Sequence, residues 1–308
     1  MSTAKNQAGN IQEAGGMSDL SDNRPAGTGY LIVGAKGQLG LALQAKYPAA
    51  RAVDVDELDI TDRTSVENFD WSGIEVILNA AAYTNVDGAE TAEGRKAAEQ
   101  VNVTAVGFLV EIARKHDMTL VHISTDYVFD GTKSPHREDE PFSPLSVYGS
   151  TKAEADKLVS QLPKHYILRT SWVIGEGKNF VRTMLELGKK GVNPSVVSDQ
   201  IGRLTFTSEL VRAIDHLLNV KAAFGTYNVS NSGDATSWAE ITRAIFKQAG
   251  LPNTVTDITT AEYYKDKPGI APRPHQSTLD LSKIQATGFN STDWREDLKA
   301  YIDKEMRK

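Results

Sequence analysis

The chain has 308 residues, a net charge of −6 and 40% hydrophobic content, enough for one large domain or a domain with a smaller lobe. It has no cysteine, which excludes disulfides, thiolate metal sites and a thiol nucleophile and suits a reducing, cytoplasmic setting. There is no basic block to favour nucleic acid, no apolar run near the ~18 residues of a membrane span, and no ligand spacing among the six histidines, so neither those partners nor a protein-bound metal is expected.

Residues 1–28 are rich in Ser, Gly, Asn and Ala and poor in large apolar side chains. They read as a disordered tail or linker. Order begins with Tyr30–Val33, an apolar run suited to a strand buried on both faces. It leads into Gly34, Gly37 and Gly40 and a helical pattern through Lys46. A strand, three glycines and a helix start suit a dinucleotide pyrophosphate, because the backbone N–H groups there can face an anion. Gln38 and Leu39 stand at that helix start.

Arg51–Asp56 reads as the second strand. It ends about twenty residues after the glycine turn, where a carboxylate can accept hydrogen bonds from an adenosine ribose. Asp54 is the first candidate and Asp56 the second. No Lys or Arg directly follows either, which leans towards NADH over NADPH. The polar turn from Asp59 and Ile60 to Asp62 is placed over the adenine. Glu75–Asn79 is a third strand. Ala80, Ala81 and Ala82 after it let a cofactor pass close to the backbone, and Thr84 and Val86 follow at the ligand-binding end of the sheet. Thr91–Ala113 reads as one long helix with Asn102 on its apolar side, a bracing group in need of partners.

Thr119–Ile123 is the next strand. It ends in Ser124, Thr125 and Asp126, where a hydroxyl can reach a substrate carbonyl. A Pro-rich, charged loop over 132–144 returns the chain to Tyr148 and Lys152. On a helix running to about Leu162 these two share a face, one turn apart. A phenol has a pKa of roughly 10, and a nearby ammonium favours the phenolate. Such a Tyr serves as general acid or base at a carbonyl. Tyr166–Thr170 is a further strand. Asn179–Lys190, Thr207–Leu218 and Ser237–Ala249 read as helices, the last capped by Ser237. Ser195–Val197 and Tyr227–Val229 read as extended. The expected fold is α/β: a Rossmann-like, doubly wound parallel sheet over 29–170 and 200–246, with a smaller C-terminal lobe from 171–199 and 247–308.

Seven phrases stand in register: G-A-K-G-Q-L-G, D-E-L-D-I-T-D, N-A-A-A-Y-T-N-V-D, H-I-S-T-D-Y-V-F-D-G, S-V-Y-G-S-T-K, L-R-T-S-W-V and R-P-H-Q-S-T-L. Together they resemble the dTDP-4-dehydrorhamnose reductase family of extended short-chain dehydrogenase/reductases, from residue 29 to about 300. The resemblance implies hydride transfer from NAD(P)H to C4 of a dTDP-4-dehydro sugar in dTDP-rhamnose biosynthesis. It implies that Tyr148 protonates the forming alkoxide, that Lys152 tunes Tyr148 and holds the nicotinamide ribose, and that Thr125 hydrogen-bonds the C4 oxygen. Thr84, Val86, Asp126 and Trp172 would then line the sugar pocket, while Arg273 and Ser277 would meet the nucleotide diphosphate.

Ala42 stands where some relatives use a Glu to share a magnesium ion between two copies. The expectation is therefore a monomer, or at most a weak homodimer, with an epimerase partner or a fused N-terminal module as further options. A dehydratase needs an acid directly after Thr-Asp, where this chain has Tyr127. A non-catalytic nucleotide-binding subunit of the same fold needs the glycine turn but not the Thr, Tyr and Lys set. Another nucleotide-sugar 4-reductase or an epimerase is the remaining alternative.

Overall fold

The computed structural model describes residues 25–307. In the first half the chain forms β1 (Tyr30–Val33), α1 (Gln38–Lys46), β2 (Arg51–Val53), α2 (Arg63–Asn68), β3 (Val76–Asn79), α3 (Ala92–Glu99), α4 (Ala105–Lys115), β4 (Thr119–Thr125), α5 (Val147–Val159) and β5 (His165–Thr170). Then come β6 (Val173–Ile174), α6 (Phe180–Lys189), β7 (Ser195–Val197), β8 (Ile201–Gly202), β9 (Thr205–Phe206), α7 (Thr207–Asn219) and β10 (Gly225–Asn228). Finally the chain makes β11 (Thr236–Ser237), α8 (Trp238–Gln248), β12 (Thr256–Ile258), α9 (Thr260–Tyr264), α10 (Ser282–Gln285) and α11 (Trp294–Glu305).

Six strands make one parallel sheet in the order β10-β5-β4-β3-β1-β2. Alternation along β1 shows why. Ile32 enters one core with Leu43, Leu168 and Leu210, while Leu31 and Val33 enter the other with Ile77, Val106 and Leu109. A strand apolar on both faces needs helices on both faces. α1 and α7 cover one side, α4 and α5 the other. The order reverses between β1 and β3, and ligands bind outside the carboxyl ends of strands at such a switch. Gly34, Ala80 and Thr125 stand at those ends.

A third core joins α6, α8 and α11 through Val181, Leu185, Ile241, Ile245, Leu298 and Ile302. Here the structure departs from the expected division. Most of α8 lies within 200–246, yet its apolar face packs on the lobe. Leu279, Leu281, Ile284 and Phe289, expected in the lobe, pack on the sheet. Each segment follows its apolar face, not its place in the chain.

The expected helix over 91–113 is interrupted. α3 and α4 are joined by a π-helical turn over Gln100–Thr104 that holds Asn102. Such turns insert a residue into a helix and often mark functional sites. Asp54 lies beyond β2, whose end is Val53, and β4 continues through Thr125, two residues past its expected end. The tail reading falls mostly on residues 1–24, outside those described. Residues 25–28 form a turn in which Thr28 N–H donates to the Pro25 carbonyl.

The start of α5 is fixed from two sides. The Ser146 hydroxyl caps it by accepting from Gly149 N–H. A Cβ at Gly149 would lie 2.2 Å from the Tyr127 carbonyl oxygen, so only glycine lets this turn seat on the end of β4. Gly149→Ala should therefore cost about 1–3 kcal/mol of stability by overpacking. Denaturant unfolding checks this, and wild-type stability would mean that α5 can shift without penalty.

Candidate active site

The glycine turn meets the switch point at close quarters. Gly34 has φ +80°, and a Cβ on it would lie 2.7 Å from the Ala81 amide nitrogen. Both facts demand glycine. Gly40 is buried beneath the turn, against the Gly34 carbonyl. The N-cap of α1 is Gly37, with no side chain bonded to the free N–H groups of the first turn. That arrangement suits an anion. A cavity of about 280 Å³ beside it has Gly34, Asp54, Asp59, Ile60 and Ala80 to Ala82 on its walls. Its wall of backbone and small side chains fits a dinucleotide. The sequence reading did not single out Val55, Leu58 or Val101, which complete its apolar side.

The acid pair is not free of basic neighbours. Asp54 accepts from the backbone N–H of Lys36 at 2.8 Å and of Val55 at 3.0 Å. Partial burial acts to raise its pKa, but these bonds and the Lys36 charge win and hold it below the usual carboxylate range. Asp56 lies off the cavity wall, paired with the Lys36 ammonium. Lys36 reaches both acids from the glycine turn, so inspecting only the residues after Asp54 could not find it. The premise behind the lean towards NADH fails at this point.

A second cavity, of about 440 Å³, shares Gly37 and Ala80 to Ala82 with the first. Gln38, Leu39, Thr84, Val86, Thr125, Asp126, Tyr148, Lys152 and Trp172 all reach its wall. Gln38 also accepts from Gly175 N–H at 2.8 Å, tying the lobe to the glycine turn. The Tyr148 phenol lies beside Thr125 and stands edge-on to Tyr127, with ring centres 5.7 Å apart. Asn102 is the brace. It accepts from Tyr83 N–H at 2.9 Å and donates to the Thr151 hydroxyl at 3.0 Å, between Tyr148 and Lys152 on α5. The π-helical turn thus locks the strand-end loop to the helix that carries the chemistry.

The charge pattern differs from the expected one. Burial, then the Asp126 carboxylate, pushes the Tyr148 phenol above its usual range, and the Thr125 hydroxyl pulls it back only in part. The Lys152 ammonium nitrogen turns to the Ile123 carbonyl at 2.7 Å and to His122 Nε2 at 3.1 Å. Burial brings Lys152 down to about 8 against the pull of Asp156. Burial likewise pushes Asp126 up to about 6, opposed by bonds from Ser277 and Thr125. Asp156 pairs with Arg169 at 2.9 Å, both fully inside the protein.

Arg273 is outside this cleft. It pairs with Asp87 at 2.8 Å and borders a third cavity, of about 340 Å³, which shares Tyr127 and Trp238 with the cleft. Ser277 is on none of the three walls. It is 1% exposed and faces Asp126. Trp172 has φ +47°, rare for a bulky residue, and stacks on Trp238 with ring centres 3.7 Å apart. Trp238 went unnoticed in the sequence because only folding brings the two indoles together. Among the described residues, no group of three or more His, Asp or Glu side chains is placed to hold a metal ion.

A parallel sheet with a glycine turn at its switch point, and Thr, Tyr and Lys on one cleft, defines a Rossmann-fold enzyme of the short-chain dehydrogenase/reductase type. The RmlD substrate binding domain family matches residues 29–307. The dTDP-4-dehydrorhamnose reductase of Aggregatibacter actinomycetemcomitans is 42% identical over 87% of this chain and 96% of its own length. Among solved structures, the dTDP-4-dehydrorhamnose reductase of Clostridium acetobutylicum superposes with a TM-score of 0.82 at 37% identity, covering 90% of this chain and 99% of that one. That of Bacillus anthracis, in complex with NADP, gives 0.81 at 34% identity, covering 89% and 97%. The chain belongs to the dTDP-4-dehydrorhamnose reductase family.

Asp54→Ala removes a carboxylate held ionised at the cavity wall. The ratio of kcat/KM with NADPH to that with NADH should rise roughly tenfold, about 1.4 kcal/mol of relieved repulsion. An unchanged ratio would show that Asp54 does not face the ribose.

Proposed function

We infer that this chain reduces dTDP-4-dehydro-L-rhamnose to dTDP-L-rhamnose in nucleotide-sugar biosynthesis, using NAD(P)H. The observation that carries the reading is one cleft holding Thr125, Tyr148 and Lys152 that shares Gly37 and Ala80 to Ala82 with the glycine-turn cavity. NAD(P)H, when bound, supplies the hydride. The protein's task is to place a proton and a second donor at the C4 oxygen as charge grows there.

Tyr148 suits the proton donor. A phenol with a raised pKa keeps its proton at neutral pH and gives it up only to a stronger base, the forming alkoxide. Thr125 at present gives its single proton to Asp126 at 3.0 Å. In this reading it rotates to the C4 oxygen when the sugar arrives. Lys152, inside the protein with a pKa near 8, stands one helical turn from Tyr148 to hold the nicotinamide ribose and replenish the proton. Thr84, Val86 and Trp172 would shape the sugar site. The half-buried guanidinium of Arg273 would meet the diphosphate in the adjoining cavity, a role to which its fork of donors is suited. Among the described residues no helix is long and apolar enough to cross a membrane, and the reading takes the chain as a cytoplasmic enzyme acting as a monomer.

Cofactor oxidation with dTDP-4-dehydro-L-rhamnose tests the reading directly. Tyr148→Phe should fold normally and lose at least ~10²-fold in turnover. Near-normal turnover would remove Tyr148 from the mechanism.

A further inference from the structure

Behind Lys152 lies a row of polar groups that the reaction as described does not use. Asn79, His122 and Lys152 are 1%, 0% and 1% exposed. Asn79 ends β3 and His122 is on β4, directly paired with it in the parallel register. Asn79 Oδ1 accepts from the Ala81 backbone N–H at 3.2 Å. Ala81 is on the wall of both the cofactor cavity and the cleft. With its oxygen so engaged, Asn79 presents Nδ2 to His122 Nδ1, 3.1 Å away. An amide N–H must donate, so Nδ1 carries the lone pair.

Burial, followed by the Lys152 charge, holds His122 well below the usual imidazole range, so the ring is neutral. A neutral imidazole has one N–H, here Nε2–H, and it points at Lys152 Nζ, 3.1 Å away. An ammonium has no lone pair to accept it, whereas an amine has one. The Ile123 carbonyl accepts one of the Lys152 protons at 2.7 Å in either state.

We propose that His122, oriented by Asn79, is a positioning residue that donates Nε2–H to Lys152 and so stabilises its neutral amine. The pair fixes where the lysine nitrogen sits and lets it lose and regain a proton within the working pH range. Opposing it, Asp156 lies one turn further along α5 and favours the ammonium, but its charge is divided with Arg169 of β5. Tyr148, one turn back on α5, faces the cleft. This inference rests on Lys152 having the role given above. It adds the device that sets the lysine's protonation.

The test reads Lys152 without turnover. In protein labelled with ¹³C at lysine Cε, the Lys152 signal is identified by its absence from Lys152→Met, and its midpoint is followed against pH. His122→Phe removes the donor at similar size, and Asn79→Asp accepts from Nδ1 and reverses the tautomer, leaving Nε2 as an acceptor. Both should move the midpoint upward by half a pH unit or more, and the alkaline limb of kcat should follow. His122→Gln, which can still present an amide N–H to Nζ, should stay within half a unit of the wild type. An unchanged midpoint in both His122→Phe and Asn79→Asp, with only melting temperature or rate falling, would reduce His122 to a packing residue and overturn the proposal. A downward shift in Asn79→Asp would also overturn it. Failure of the substrate assay with an upward midpoint shift would instead fault the assigned reaction and leave the His122 device standing.

Discussion

The site depends on how the first turn of α5 seats on the carboxyl end of β4. Gly149 lies against the Tyr127 carbonyl, where a side chain cannot fit. One turn on, Lys152 reaches across to the Ile123 carbonyl. These two contacts decide where Tyr148 meets Thr125. Asn102 adds a third restraint from the π-helical turn and ties the same helix to the loop after β3. The loop, the strand end and the helix that carry the chemistry are therefore one packed unit.

Burial sets the electrostatics of that unit. The Tyr148 phenol is raised and the Lys152 ammonium lowered mainly by desolvation, because both charged forms lose water. Their affinities for a proton are thereby pushed further from their solution values in opposite senses. The tyrosine holds a proton to give, while the lysine can exchange one near neutral pH. Perturbed groups gathered in one cleft are a mark of catalytic sites. The Asp156–Arg169 pair behind the site is a buried ion pair, and the desolvation of both charges offsets much of their attraction.

Much of this was readable from the chain. The sheet strands are apolar on both faces, which a linear pattern reports directly. The glycine turn, the Ser237 cap and the Tyr148–Lys152 spacing are local signals too. The misses share a different cause. Lys36 meets Asp54 and Asp56 only because β1 and β2 are neighbours. His122 looked like one histidine among six until pairing with Asn79 placed it under Lys152. Trp172 and Trp238 are distant in the chain and touch only in the fold. The interruption at Asn102 escapes a periodicity argument because one inserted residue barely disturbs an apolar stripe. Arg273 and Ser277 share a phrase in the sequence, yet one borders a cavity and the other faces inward.

The central claim is that two hydroxyls, Thr125 and Tyr148, converge on the sugar's C4 oxygen beside a bound nicotinamide. A crystal structure of the complex with NADPH and dTDP-rhamnose measures this most directly. The account predicts both side-chain oxygens within hydrogen-bond distance of the C4 oxygen, and the sugar C4 about 3–3.5 Å from the nicotinamide carbon that carries the hydride. A sugar bound with its C4 oxygen turned away from Tyr148, or a nicotinamide lying outside the cleft, would contradict it.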